Sequence, residues 1–413
     1  MSCSALQFDD VDASPISELV NETVTTEASL HYNPAMHVYI NGRFLTQRRT
    51  GVQRYAYETL MALDALLAES SSQNRFTFVL VAPASASSPP LRCIRFQRVG
   101  PFGGHWWEQL TLPRVARDGI LLNFGATGPL LKTHQVVTMH DAAVFTQPAS
   151  FSPAFRYFYR MALPLLAKRA RYVVTVSEFS KRELVTHLGN SLTKARVFGE
   201  GWQHVTRVPA ERRVLEEHRL NPRGYVLAVG SLAPHKNLPA FARAARLVGP
   251  EIAMDWVIAG AADALVFRKG ATVTGDRLKC IGYVSDGQLR ALYEHAFAFV
   301  HPSSYEGFGI PPLEAMALGC PVISSSAAAL PEVCGKAALY FEPHDAEALA
   351  GHVRNLCTAP ELREQLIRLG FERITHHGWS FTAESFVRLL EEASRLYAQA
   401  TTTSQLSDFQ ALL

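Results

Sequence analysis

Glu306 and Glu314 stand with seven residues between them in HPSSYEGFGIPPLE, residues 301–314. Gly307 and Gly309 leave the backbone bare there, and Pro311 and Pro312 suit the first turn of a helix. Amides exposed near Gly309 and Ile310 at a helix N-terminus can donate to phosphate, and Glu314 on the first turns can accept from vicinal hydroxyls such as a ribose diol. The same residues also fit a plain helix start, with Glu314 an acid favoured by the dipole and Glu306 a loop charge. In VGSLAPHKNL, residues 229–238, Lys236 follows Gly230 closely at the end of an apolar run, where it also reads as a solvated loop lysine. HDAAVF at 140–145 sets His140 and Asp141 behind an apolar run, and RTGVQRYAYETL at 49–60 opens a helical stretch at Gly51, where backbone can come close to a ligand.

The runs that must position these groups are short and β-rich, separated by longer helical stretches. The first series is HVYI at 37–40, FTFVLVA at 76–82, ILLNF at 120–124, QVVTM at 135–139 and YVVTVS at 172–177. The second is YVLAVG at 225–230, DWVIAG at 255–260, KCIGYV at 279–284, AFAFVHP at 296–302, PVISS at 321–325 and AALYF at 337–341. Such alternation predicts parallel sheets covered by helices, and its recurrence predicts two doubly wound α/β domains. Ligands of such sheets bind beyond the carboxyl ends of the strands, where the polar groups above fall. The expected divisions are a low-order tail at 1–36, domains at 37–205 and 206–379, and a final helix with tail at 380–413. Turn residues and charge mark Val205 to Pro222 as the linker. In the final helix Phe386, Leu389, Leu390, Ala393, Leu396 and Tyr397 recur at helical spacing.

A chain of 413 residues exceeds one core, and 48% hydrophobic with 19% charged residues excludes wholesale disorder, collagen and coiled coil. A net charge of +3 excludes a dedicated nucleic-acid binder. The six cysteines lie far apart without metal spacing, which predicts free thiols and no metal. Asp10-Val11-Asp12 formally makes a metal-binding carboxylate pair but reads better as part of a solvated acidic tail. No apolar run approaches the roughly 18 to 20 residues of a spanning helix, and the start lacks a signal-peptide pattern. The expected location is the cytoplasm, with peripheral contact to the inner face of the cytoplasmic membrane as an option. PAFRYFYRMALPLLAKRAR at 153–171 combines Phe155, Phe158, Tyr159, Leu165 and Leu166 with Arg156, Arg160, Lys168, Arg169 and Arg171. It reads as a core helix with a basic outer face, or as a helix lying on an anionic membrane.

Over roughly residues 37 to 395 the chain resembles the retaining glycosyltransferases of family 4, whose hallmark is Glu, seven residues, Glu. The resemblance implies the GT-B fold, two Rossmann-like domains facing each other across a cleft. It implies a nucleoside diphosphate sugar as donor substrate, with no metal or prosthetic group. Carried over to this sequence, Glu314 holds the nucleotide ribose, Glu306 lies beside the donor sugar, Lys236 reaches the diphosphate and His140 lies close to the transferred sugar. Glu306, His140 and Lys236 are then the catalytic residues. Gly51, Ser231, His235, Gly307, Phe308, Gly309 and Ile310 join Lys236 and Glu314 around the donor. Many relatives carry an Arg where this chain has Ser231 or His235, and a protonated His235 would replace that cation. VSEFSKREL at 176–184, with Ser177, Ser180 and Lys181, resembles the family's interdomain segment.

His105-Trp106-Trp107-Glu108-Gln109 resembles a pattern of the subgroup with bacterial polysaccharide mannosyltransferases. That subgroup implies GDP-mannose as donor and a glycan or lipid-linked oligosaccharide acceptor in surface polysaccharide biosynthesis. Arg54, Trp106, Trp107 and Asp141 are the residues expected toward the acceptor, with Trp106 and Trp107 equally readable as core anchors. The mechanism implied by the family is a front-face displacement that keeps the α configuration. The alternatives are a UDP-glucose-type donor, a nucleotide-sugar 2-epimerase, which the Glu pair argues against, and a nucleotide-sugar-binding homologue without catalysis, which the missing Arg beside Lys236 favours.

Overall fold

The computed structural model describes residues 36–69, 75–249, 252–260 and 277–411, with side chains as far as 395. The acidic tail through residue 35, with Asp10-Val11-Asp12, lies outside the described residues, as do the side chains of Leu396 and Tyr397.

Met36–Asn41 (β1), Phe76–Ala82 (β2), Arg95–Arg98 (β3), Ile120–Asn123 (β4), Gln135–Thr138 (β5), Tyr172–Thr175 (β6) and Arg196–Val197 (β7) form a first sheet of order β3-β2-β1-β4-β5-β6-β7. Tyr225–Val229 (β8), Asp255–Ala259 (β9), Leu278–Gly282 (β10), Ala298–His301 (β11), Val322–Ser325 (β12) and Ala338–Phe341 (β13) form a second, of order β10-β9-β8-β11-β12-β13. Every pairing is parallel. These are the two doubly wound sheets that the alternation predicts, and helices on both faces explain why the central strands read as unbroken apolar runs. Two strands carry no such run. RFQR in β3 and the two residues of β7 are sheet edges, where one flank needs no apolar cover.

Both sheets reverse their strand order once, between β1 and β4 and between β8 and β11. Ligands of open parallel sheets lie at that switch point, beyond the carboxyl ends. The principal helices around it are Gly51–Glu69 (α1), Pro153–Arg169 (α2), Glu178–Leu188 (α3), Leu238–Val248 (α4), Asp286–His295 (α5), Ile310–Ala317 (α6) and Trp379–Ala411 (α7). α7 lies against the first sheet's side of the molecule, with Phe386 edge-on to Phe124 and Phe198 at about 5 Å. The stretch Val205 to Pro222, expected as a linker, holds the short helices His204–Arg207 and Arg213–Glu217. Its Val205, Val214, Leu215 and Leu220 are buried in the shared core.

The pair Trp106-Trp107 divides between outside and inside. Trp106 is 72% exposed, whereas Trp107 is fully buried and donates its Nε1–H to Val99 O at 2.8 Å. Trp107 packs with Tyr39, Val79, Leu112 and Leu121, so it is a core anchor and not an acceptor platform. Glu108 beside it is also buried, accepting from Asn41 Nδ2, Arg43 Nε and Thr127 Oγ1 and facing His105 Nδ1. Burial alone would raise that carboxyl; His105 and Arg43 hold it below the usual range. The segment therefore clamps a short helix to the ends of β1 and β4. Trp107→Ala is expected to lower unfolding free energy by about 3 to 5 kcal/mol, for the lost indole volume and the orphaned Val99 carbonyl. Urea unfolding checks this, and a loss under about 1 kcal/mol would contradict the packing role.

Candidate active site

The loops after β8 and β11, neighbours at the second switch point, carry Lys236 and Glu306. The first closes in a 3-10 turn, Pro234–Lys236, followed by Asn237 in the left-handed region at φ 49°. Asn237 Nδ2 donates to Pro302 O and Pro343 O, and Ser304 N donates to His235 O at 2.8 Å, fastening the two loops together. This brings Lys236 Nζ to 2.6 Å from Glu306 Oε1, while His301 Nε2 donates to the same oxygen at 3.1 Å. Burial would raise the Glu306 carboxyl, but the Lys236 charge and then His301 hold it well below the usual range. The site therefore contains a permanent carboxylate paired with a primary ammonium, and any diphosphate at this loop competes with Glu306 for Lys236.

Gly309 caps α6 at φ 108°, where a Cβ would lie 2.7 Å from Leu330 Cδ2, so both conformation and space require glycine. Pro311 and Pro312 fall in the first turn of α6, and Ile310 opens it with a free amide end typical of anion sites. At Gly307 the two halves meet backbone to backbone. A Cβ there would meet Asp141 Cβ and His140 O at 2.9 Å each, and its carbonyl accepts from Ser177 Oγ at 2.6 Å and Ser180 Oγ at 2.9 Å. Ser177 and Ser180 of the interdomain segment thus hold the backbone of this loop. Phe308 differs from the donor-facing expectation: it is buried against His377, ring centroids 5.6 Å apart, and beside Gly199.

Glu314, one turn into α6, is buried and gripped from two sides. Tyr293 Oη, from α5, donates to Oε2 at 2.9 Å, and His204 Nε2 lies 2.7 Å from Oε1. Trp379 Nε1–H donates to His204 Nδ1 at 3.2 Å, which fixes the proton of the neutral ring on Nε2, facing Glu314. Burial would raise Glu314; the His204 hydrogen bond, Arg54 and Tyr293 bring it below the usual range. Arg54 is not directed at an acceptor. Its guanidinium holds Asp286 at the start of α5 with two hydrogen bonds, the first 2.8 Å, and lies 3.9 Å from Glu58, which also pairs with Arg207. α1 of the first half is thereby latched to α5 of the second.

From the first half, His140 lies at the end of β5 and is nearly closed to solvent. Its Nε2–H donates to Phe124 O at 2.9 Å, Nδ1 lies 3.7 Å from Glu200 Oε1, and Tyr55 stands edge-on at 4.7 Å. Burial pushes up the carboxyls of both Glu200 and Asp141, against the pull of His140. Asp141 Oδ1 accepts from Ala143 N at 2.8 Å, which ties it to its own loop. At Gly51 a Cβ would meet no protein atom within 4 Å, so protein packing does not demand glycine there. Ser231 is exposed beyond β8. His235 departs from the expected replacement cation. Burial and then the adjacent Lys236 push its imidazole below the usual value, and Nδ1 pairs with Ser150 Oγ at 2.9 Å, both of which work against a protonated ring.

Glu306, Lys236, His140, Asp141 and the Gly307–Gly309 backbone therefore converge from both halves, with Glu314 one helical turn beyond. His204, Tyr293, His301, Glu200 and Asp286 complete the site and carried no motif of their own, apart from His301 at the head of HPSSYEGFG. Among the described residues no three His, Cys, Asp or Glu side chains come together in a way that could hold a metal ion. His377, packed on Phe308, has a buried Nε2 without a partner, and burial with Arg373 and His376 pushes its pKa down to about 4. A histidine depressed when folded binds its proton more readily unfolded. Its stabilising contribution is whole above about 6.5 and is lost as pH falls toward about 4. His377→Phe is expected to remove about 3 kcal/mol of the stability lost over that window, read as the wild-type minus variant difference in urea midpoints. An unchanged pH slope in the variant would contradict it.

Residues 213–373 match the family model for glycosyl transferases group 1. O-antigen chain mannosyltransferase B of Escherichia coli is 31% identical over 255 residues, which is 59% of this chain and 66%, just under two thirds, of the relative. O-antigen chain mannosyltransferase RfbU of Salmonella typhimurium strain LT2 is 26% identical over 363 residues, 84% of this chain and 99% of the relative. Among solved structures, sucrose-phosphate synthase from Thermosynechococcus elongatus superimposes with a TM-score of 0.66 at 18% identity, covering 87% of this chain and 100% of that one. That likeness is one of fold, two Rossmann-like sheets in the GT-B arrangement.

Proposed function

Because residues 213–373 belong to the glycosyl transferases group 1 family, we propose that the chain is a retaining glycosyltransferase that moves a hexose from a nucleoside diphosphate sugar to a glycan. The observation that carries this reading is the convergence of Lys236, Glu306 and the α6 amides, with Glu314 held ready one turn on. The diphosphate lies against the Gly309–Ile310 backbone and Lys236, and Glu314 accepts from the ribose diol. Glu306 and His140 face the transferred sugar. As the sugar leaves, negative charge on the diphosphate is met by Lys236 and by amides already in place, with no metal in the proposed set. Ser177, Ser180 and Gly307 fix how the halves meet over the sugar, which excludes the water that would hydrolyse the donor.

Likeness to two O-antigen mannosyltransferases supports a role in surface polysaccharide biosynthesis and favours mannose, from GDP-mannose, as the hexose transferred. The acceptor in this reading is a lipid-linked oligosaccharide, met at the cytoplasmic face of the membrane. Among the described residues no helix is long and apolar enough to cross a membrane, so contact with lipid in this reading is peripheral. The test is transfer from GDP-mannose, UDP-glucose and ADP-glucose to a panel of oligosaccharides, with the anomer of the product assigned by NMR. An α-mannoside from GDP-mannose alone supports the full reading. Transfer only from UDP-glucose overturns the donor. Release of free sugar without acceptor would point to the epimerase, and tight nucleotide binding with no turnover to a homologue without catalysis.

A further inference from the structure

α2 carries an outward apolar row that helical periodicity alone did not separate from its inward one. Ala162, Leu163 and Leu166 are buried, whereas Tyr157, Met161 and Leu165, spaced four apart, face solvent, with Tyr157 73% and Met161 63% exposed. The segment that carries exposed Trp106 meets α2 through His105, whose ring lies tilted against Phe158 with centroids 4.3 Å apart. At the far end of α2, Arg169 Nη2 donates to the carbonyl of Leu131, which is 80% exposed. Of the twelve large apolar side chains exposed among the described residues, eight fall in the segment from Phe102 to Leu165, four of them on α2.

The charge around this row has one sign. No Asp or Glu occurs from Ala142 through Ser177, while Arg156, Arg160, Lys168, Arg169 and Arg171 do. Trp106 and Tyr157 are the ring types that settle at a lipid–water boundary. A second copy of the chain docking on this face by twofold symmetry would set these cations against each other, and an acidic surface would not. α2 also starts close to the site: Pro153 is three residues from Ser150, whose hydroxyl pairs with His235 next to Lys236.

We propose that the exposed face of α2 docks on an anionic lipid bilayer. Tyr157, Met161 and Leu165 enter the headgroup boundary and the basic flank meets lipid phosphates. The cleft then stands at the membrane surface, where an acceptor anchored in the same leaflet presents its glycan. This deepens the reading of a lipid-linked acceptor, yet the docking itself is measurable without donor or acceptor.

The purified full chain is floated with vesicles of phosphatidylcholine, with and without phosphatidylglycerol. The wild type should float with the anionic vesicles alone and be released by high salt. Arg160→Glu with Lys168→Glu should weaken that partition at least about thirtyfold, at roughly fivefold per basic residue lost. Met161→Glu with Leu165→Glu should abolish it, with melting temperature unchanged because both side chains are exposed. If the apolar pair fails to fold, the charge pair alone decides. Equal flotation of wild type and both variants, or no flotation of the wild type, overturns the proposal. So does a wild-type dimer, seen by sedimentation velocity, that Met161→Glu dissociates. Transfer to a short water-soluble acceptor should be unaltered in both variants, so failure of docking and failure of the glycosyltransferase reading give different results.

Discussion

Lys236→Met should lower the rate of the chemical step about 10²- to 10³-fold while changing donor affinity far less. In the proposed function its ammonium is the cation that meets the diphosphate. Ser231 carries no charge, and burial, Lys236 itself and the bond to Ser150 all work against a protonated His235. Charge on the leaving diphosphate is greatest in the transition state, so losing this contact affects kcat more than ground-state binding. The variant also has a second signature. Lys236 holds the Glu306 carboxyl below the usual range, so its removal raises that pKa. Any acid limb of the pH–rate profile that reports Glu306 must then move to higher pH. Single-turnover kinetics with saturating donor measure both effects, and wild-type turnover in the variant would remove Lys236 from the site.

Glu314→Ala should weaken nucleotide binding about 10- to 100-fold, the range expected for charged hydrogen bonds to a diol. It should also destabilise the protein by about 2 to 6 kcal/mol. The buried Tyr293 hydroxyl and His204 Nε2–H would each lose their acceptor, at about 1 to 3 kcal/mol apiece. The two effects separate by experiment: calorimetric titration with GDP at low temperature reports binding, and urea unfolding reports the orphaned donors. Unchanged affinity with lowered stability would make Glu314 a packing residue that holds α5 and α6 together.

Much of this architecture is legible in the chain because the central strands are contiguous apolar runs and the loops after β8 and β11 carry their chemistry in single motifs. Lys236, Glu306 and Glu314 stand in such motifs. The supports do not. His204 meets Glu314 across 110 positions and Arg54 meets Asp286 across 232, and no periodicity or local spacing encodes a pairing that exists only after two sheets have packed. His204 immediately precedes the stretch whose turn residues and charge read as a linker, although Val205, Val214 and Leu215 seal that stretch into the core. Sequence alone does not separate the two tryptophans of HWWEQ, although one step along a helix sends adjacent residues to different faces. β3 and β7 were missed because an edge strand of two to four mostly polar residues leaves no apolar signature.

The grip on Glu314 bears on how enzymes of this kind can be recombined. The matched family region runs from 213 to 373, yet the histidine that orients Glu314, the proposed ribose acid, is at 204 and the indole that sets that histidine's proton is at 379. A chimaera that exchanges only the family region transplants the carboxylate without the two residues that aim it, and pairs it with whatever the recipient carries there. The portable donor cassette is therefore longer at both ends than sequence similarity marks it. Crossovers placed before His204 and after Trp379 carry the whole relay, while junctions at the edges of the similarity cut it on both sides.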